Sequence, residues 1–273
     1  MSQNGPPSAS TVPTTVVALE SGRAEAGERA LAVEAPVNVV YGEVPYAVMM
    51  LTPADLEDFA YGFSLTEGVA RTPDDVRGVA VETTEEGVLL NVTLSPDRMH
   101  AHLARRRAMS GRTGCGVCGI EDLAAVPRAA RGAAEAPPVT VAAVRRALAE
   151  LEENQPLNAA VRAVHAAGWA DRAGRLVLAR EDVGRHNALD KTIGALARRG
   201  VDPASGFLVI TSRCSFEMAE KAAAFGAPAL VAISAPTSLA LERARRHGLT
   251  LVAIARRDTV TVFNGRLADL PEP

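Results

Sequence analysis

Two of the chain's three cysteines fall in one short run, Gly111-Arg112-Thr113-Gly114-Cys115-Gly116-Val117-Cys118-Gly119. Four glycines surround them, and arginines stand upstream at Arg105, Arg106, Arg107 and Arg112. Glycine frees the backbone. Nearby positive charge favours the thiolate, the nucleophilic form of cysteine. The pattern therefore reads as a mobile loop carrying reactive sulfur. Three chemistries use such a pair, beside two cysteines without a role. Structural zinc needs four ligands, and this chain has no second Cys-x-x-Cys and no zinc-finger histidine spacing, so a partner subunit would have to complete the set. Thiol–disulfide exchange places the pair at a helix N-terminus after a strand. Gly119-Ile-Glu-Asp-Leu could open such a helix, but no clear strand leads in. A persulfide carrier accepts sulfane sulfur on one thiolate, and the second thiol assists by attack or exchange.

Three further polar segments lie at places where an α/β fold binds ligands. The first is Arg180-Glu-Asp-Val-Gly-Arg185-His186-Asn187-Ala-Leu-Asp190-Lys191, between a predicted strand and a predicted helix. Strand ends beside helix N-termini hold anions and cofactors. Asn187 or His186 is expected near the N-cap, and Asp190 and Lys191 suit surface ion pairs. The second is Thr211-Ser-Arg213-Cys214-Ser215-Phe-Glu-Met218, in which Arg213 and Ser215 could meet a phosphate. Cys214, with no glycine or second thiol beside it, reads as a small buried residue. The third comprises Ile254, Ala255, Arg256, Arg257, Asp258 and Thr259, whose paired arginines suit an anion or a solvated hairpin equally. His165 taken alone reads as a core histidine, and Glu67 as helix-end chemistry.

Several elements must position these groups. Strands are expected at 30–34, 37–41 and 44–51, the last two turning at Gly42-Glu43. A helix follows with Thr52 as N-cap and Pro53 at its first position, its apolar face formed by Leu56, Phe59, Ala60 and Phe63. Residues 79–83 and 88–94 form a hairpin, and the cysteine loop comes next. Val141, Val144, Leu148 and Leu151 mark an amphipathic helix. Beyond it strands (176–179, 207–210, 229–233, 249–255, 260–263) alternate with helices (188–199, 216–225, 238–246), which predicts an α/β layer on a largely parallel sheet. The fold class is thus α/β, α+β overall. Residues 1–26 read as a disordered tail, 27–135 as a small β-rich N-terminal domain ending in the Cys-x-x-Cys loop, and 136–273 as an α/β domain. An Ala/Gly/Pro-rich linker at 128–138 separates the two.

Bulk composition removes whole classes. At 48% hydrophobic and 22% charged residues the chain can build a core, and a net charge of −3 (29 basic, 32 acidic) argues against a nucleic-acid coat. Three cysteines fit a reducing compartment better than a disulfide scaffold. The N-terminus lacks a secretory pattern, and no apolar run approaches the roughly 20 residues of a membrane span. A soluble cytoplasmic protein that binds neither nucleic acid nor membrane is expected.

Cys115-Gly-Val-Cys118-Gly, then Glu181-Asp-Val-Gly-Arg-His-Asn-Ala-Leu-Asp-Lys191, then Ser212-Arg213 with Ser215-x-Glu217-Met218 and Lys221, resembles the FdhD family. Phe63-Ser-Leu-Thr-Glu-Gly68 and Gly248-Leu-Thr-Leu-Val252 also look like that family, and the resemblance spans residues 29–263. It implies a sulfurtransferase: a cysteine desulfurase supplies sulfane sulfur, which is passed to the bis(molybdopterin guanine dinucleotide) molybdenum cofactor for formate dehydrogenase. It implies that Cys115 carries the persulfide and Cys118 assists. Arg185, His186, Asn187, Arg213 and the turn 254–259 would hold the cofactor, with no permanent metal. It further implies a homodimer and a C-terminal domain similar to cytidine deaminases. Deaminase chemistry itself is not expected, because zinc deaminases need His-x-Glu ahead of Pro-Cys-x-x-Cys, and no histidine here is followed two positions later by Glu. Two other functions fit the same residues: a protein that binds and inserts the cofactor without moving sulfur, and a dithiol oxidoreductase.

Overall fold

The computed structural model describes residues 8–108, 129, 132–256 and 258–270. Cys115, Cys118 and Arg257 lie outside the described residues. Twelve strands and seven α-helices are present among those described. The chain opens with a ribbon, β1 (Ala9–Val17) against β2 (Ala24–Ala32), in nine antiparallel pairs. Most of this ribbon was expected to be a disordered tail. Its strands lack the strict apolar alternation that marks a half-buried strand.

A four-stranded sheet follows, with strand order β4-β3-β6-β5. Its strands are β3 (Ala35–Tyr41), β4 (Val44–Leu51), β5 (Val76–Thr83) and β6 (Val88–Leu94). Gly42 and Glu43 both have positive φ, as a two-residue hairpin turn requires. One face packs on α1 (Leu56–Thr66) through Val37, Val39, Tyr41, Leu90 and Val92 against Phe59, Ala60 and Phe63. The helix starts later than expected. Asp55, at φ 52°, is its N-cap, and Thr52 is a connector to the second half of the chain. Helix α2 (Pro96–Ala108) leads out of this sheet, with Arg98 donating to the carbonyls of Gly68 and Val69.

The second half carries a six-stranded sheet ordered β12-β11-β10-β9-β7-β8. Helix α3 (Val141–Glu153), with Thr140 as N-cap, contributes Val144, Ala147 and Leu151 to one core cluster with this sheet. Helices α5 (Arg185–Arg198), α6 (Phe216–Phe225) and α7 (Ser238–His247) contribute to the other. The short α4 (Pro156–Val161) has the carboxylate of Glu181 on its first amides. The sheet is mixed and not largely parallel. The pairs β9–β10 and β10–β11 are parallel, whereas β11–β12, β7–β8 and β7–β9 are antiparallel. Alternation with helices holds for β9 (Gly206–Ile210), β10 (Ala229–Ala232) and β11 (Thr250–Ala253). Strands β7 (His165–Asp171) and β8 (Leu176–Asp182) are joined by a four-residue turn, too short for a parallel crossover. β12 (Thr261–Asn264) returns beside β11 in the same way.

The two sheets meet through α1 and α5. A methyl group on Gly62 would collide with the Asp190 carbonyl, and one on Gly194 with the Asp58 carbonyl. The two backbones touch because neither residue has a side chain. Gly62→Ala and Gly194→Ala are each expected to cost about 1–3 kcal/mol or more through overpacking, read as a lower urea midpoint. Gly78→Ala, which enters open space, is expected to leave the midpoint almost unchanged.

Candidate functional site

Parallel strands β9, β10 and β11 end on one edge of the six-stranded sheet. There the chain turns into 211–215, 233–237 and 254–260, and α6 and α7 begin. Antiparallel β7 starts on that same edge with His165, which pairs in register with Asp182 at the end of β8. Helix α5 follows from the end of β8 with Gly184 as N-cap, three residues earlier than expected. Topology thus brings together residues from 165 to 259. His165, Arg185, His186, Arg213, Ser215, Glu217 and the 254–259 turn share this edge, and no sequence spacing relates them.

His186 Nε2 lies 2.9 Å from Glu217 Oε2 and 3.5 Å from Ser215 Oγ. The hydrogen bond from His186, aided by Lys221 and Arg185, holds the Glu217 carboxyl below its ordinary pKa. His165 begins a strand and is not helical. Burial, together with the charges of Arg185 and His186, lowers its pKa. The Nε of Arg185 is buried with no hydrogen-bond partner among the described residues, while Arg213 is exposed. In the last turn Ile254 adopts φ 51°. Arg256 Nη1 donates to the Ile233 carbonyl at 2.6 Å, and its amide donates to the Thr259 carbonyl. Ala255 faces the core. The edge therefore offers cations and the N-termini of α6 and α7, a chemistry suited to an anionic ligand.

Asn187 stands apart from this group. It is the third residue of α5 and not its cap, and its amide donates inward to Met50 O at 2.9 Å and Asp182 Oδ1 at 3.0 Å. Cys214 is wholly buried, and burial pushes its thiol up to about 12, so it is no nucleophile at neutral pH.

Asp190 and Lys191 are buried, not surface ion pairs. Lys191 Nζ donates to Asp182 Oδ2 at 2.6 Å and to the Thr52 carbonyl at 2.8 Å. The Thr52 amide in turn donates to Asp182 Oδ2, and the Val183 amide donates to Thr52 Oγ1. Burial pulls the Lys191 ammonium below the ordinary lysine pKa against the pull of Asp182. Lys221 Nζ donates to both Asp190 oxygens, Glu67 Oε1 and Thr66 Oγ1, all within 3.0 Å. Burial opposes this charge, but Asp190 and Glu67 outweigh it and raise the Lys221 pKa. Glu67 therefore does more than end a helix. Arg180 and Arg198 both bind Asp58, from β8 and α5. The sequence reading passed over Asp58, Gly62 and Gly194, and it took Asp182 only as part of a polar segment suited to a ligand, whereas the structure buries it against Lys191 and Thr52. The one available signal was a glycine inside each of two helical patterns, which points to close packing.

Comparisons with known proteins bear on the fold and the family. A chain from Desulfotalea psychrophila, whose crystal structure is described as that of a formate dehydrogenase accessory protein, superposes with a TM-score of 0.74 at 25% identity, covering 95% of this chain and 98% of that one. Proteins named sulfur carrier protein FdhD match over nearly full length. That of Xanthomonas campestris pv. campestris (strain B100) is 50% identical over 264 residues, 95% of this chain and 94% of its own. That of Bordetella parapertussis is 46% identical, covering 92% of each. The fold is that of a mixed α/β protein with a cation-bearing strand-end site. The FdhD/NarQ family profile matches residues 32–268, and the chain belongs to this family. Among the described residues no helix is long and apolar enough to cross a membrane.

Lys221→Met is expected to cost about 3–5 kcal/mol, because it strands buried Asp190 without a counter-charge. Arg146→Met, which removes an exposed pair within α3, is expected to cost under about 0.5 kcal/mol; chemical denaturation of both variants checks the contrast. The depressed pKa of His165 means that protonation favours the unfolded chain. Its contribution is full above the ordinary imidazole value of about 6.5 and is lost as pH falls through the lower folded value. His165→Gln is therefore expected to flatten the acid limb of the stability–pH curve below about 6.5.

Proposed function

We propose that this protein is a sulfur carrier that serves formate dehydrogenase. The observation that carries this reading is 50% identity, over 95% of the chain, to a protein named sulfur carrier protein FdhD. The Cys115–Cys118 pair supplies the chemistry. Cys214 supports the assignment by exclusion, since it is the free cysteine among the described residues and its thiol is buried and protonated.

The proposed sequence of steps begins with a cysteine desulfurase as donor. The Cys115 thiolate attacks the terminal sulfur of the donor persulfide, the donor S–S bond breaks, and the donor thiolate leaves. Arginines at 105–107 and 112 favour the attacking anion. Attack by the Cys118 thiolate on the Cys115 sulfur then releases hydrosulfide and forms a Cys115–Cys118 disulfide. The dithiol thereby provides the two electrons that reduce sulfane sulfur to sulfide.

The acceptor substrate is the bis(molybdopterin guanine dinucleotide) molybdenum cofactor, which would receive the sulfur as a ligand of its metal. Its phosphates suit the strand-end site. Arg185, with a buried unpaired Nε, and exposed Arg213 provide positive charge there. The N-termini of α6 and α7 provide amides. His186, with its imidazole beside Glu217, can donate to the ligand or hold a proton at the edge. Exposed Ile254, Arg256, Asp258 and Thr259, in the turn after β11, would line the β11 side. Asn187 positions Asp182 and the β4 end from behind. The protein would act as a homodimer in the cytoplasm.

Intact-mass spectrometry after incubation with a cysteine desulfurase and cysteine tests the carrier step. Wild type is expected to gain the mass of one sulfur atom and Cys115→Ala none. No gain in wild type with an active desulfurase would leave cofactor binding and insertion without sulfur transfer.

A further inference from the structure

His165, Arg185 and His186 stand at the ligand edge, and one buried carboxylate locates all of them. Asp182, wholly buried, is the last residue of β8. Its backbone pairs in register with His165. Arg185 and His186 are the first two residues of α5. The Asp182 side chain brackets them. Its Oδ1 accepts from the Gly184 amide at 2.8 Å, just before the pair, and from Asn187 Nδ2 at 3.0 Å, just after it. The bracket is tight, since a Cβ on Gly184 would lie 2.5 Å from Asn187 Nδ2.

The other carboxylate oxygen is tied elsewhere. Oδ2 accepts from Lys191 Nζ at 2.6 Å and from the Thr52 amide at 3.0 Å. An ionised carboxylate has about four acceptor sites, and these donors occupy them. Asp182 therefore acts on the edge through the residues it holds and not by meeting a ligand. Thr52 is buried and directly follows β4 of the first sheet unit. Its Oγ1 accepts from the Val183 amide at 3.1 Å, and its carbonyl accepts from Lys191 Nζ at 2.8 Å. Met50, two residues earlier, accepts from Asn187 Nδ2 at 2.9 Å. The first sheet unit thus grips the chain on both sides of Arg185 and His186, at Val183 and at Asn187.

From this we infer that Asp182 is a positioning residue of the ligand edge, through which the first sheet unit sets Arg185 and His186. The inference rests on the reading of that edge as the site of the cofactor. Charged groups held from behind meet an anion without first being ordered, whereas loose ones add the cost of their ordering to binding. A side chain of the first sheet unit that touches no ligand, Thr52, is therefore expected to control ligand affinity.

The test uses the full-length protein and guanosine diphosphate, the nucleotide end of the cofactor, as probe. Asp182→Asn sets an amide donor against other donors on one side of the carboxylate. Thr52→Val removes only the acceptor of the Val183 amide and leaves the Asp182–Lys191 pair in place, which keeps the test valid should the Asp182 variant fold poorly. Val144→Ala, in the core cluster that α3 shares with the six-stranded sheet, lowers stability without touching Asp182 and serves as the reference. Melting temperature and probe affinity, by titration calorimetry well below melting, are measured for each. Thr52→Val is expected to bind the probe roughly tenfold more weakly, the usual effect of losing a group that supports a binding residue from behind. Asp182→Asn is expected to bind it more weakly still, and Val144→Ala to melt earlier with wild-type affinity. Wild-type affinity in Thr52→Val overturns the positioning role. So does an equal loss in Val144→Ala, because affinity would then merely follow stability. A wild-type protein that binds no guanosine diphosphate overturns the cofactor reading of the edge and this inference with it.

Discussion

The contact on which the rest of the structure depends is the crossing of α1 and α5. Gly62 and Gly194 let the two backbones touch, each facing a carbonyl of the other helix. At that separation Asp58 and Asp190, which flank the crossing, are buried. Asp58 is met across the interface by Arg180 and Arg198, and Lys221, paired with Asp190 in its own half, reaches across it to Glu67. Asp182, bound by Lys191, continues the same seam to Thr52. Close packing demands the pairing, and the pairing fixes the register of the packing, because an unpaired buried charge is far costlier than a lost apolar contact. Burying ion pairs adds little net stability compared with apolar packing. Their consequence here is geometric, since the Asp58 pairs, the Glu67–Lys221 pair and the Thr52–Asp182 bond couple the first sheet unit to the second.

That coupling ties the strand-end edge, built only from the second half of the chain, to the first sheet unit. Asp182 ends β8, and α5 starts three residues later with Arg185 and His186. The group that ties Thr52 in place therefore also sets the start of the helix carrying two site residues. Helix α6 does the same on its side, with Glu217 toward His186, Lys221 toward Asp190 and Glu67, and Glu220 toward Ala129. Site geometry and the packing between the two sheet units share the same few residues. Substitutions at the seam should consequently be felt at the strand-end site.

Much of this was legible in the sequence. The strands of the first sheet, helix α3 and the αL glycines closing α6 and α7 all followed from local rules of periodicity and capping. So did the burial of Cys214. The errors fall where local rules compete with tertiary demands. Thr52 looks like an N-cap, yet its groups bind Asp182 and Val183, some 130 residues away, and Asp55 takes the cap. Lys191 looks like a surface lysine because nothing near it in sequence shows that Asp182 and Thr52 will enclose it. The β1–β2 ribbon was missed because its residues lack the apolar alternation of a half-buried strand.

The sequence by itself determined the family and the strand–helix alternation from β9 to α7, because each is carried by residue types at short, fixed spacing. The tertiary structure decided which polar residues face a ligand and which are enclosed. Arg185, His186 and Asn187 are consecutive, yet Arg185 and His186 stand at the edge with His165 and Glu217, while Asn187 turns inward to Met50 and Asp182. Neighbours on a helix point about 100° apart. Which of those directions meets solvent and which meets protein depends on where α1 packs, and that is set by two glycines 132 positions apart (62 and 194).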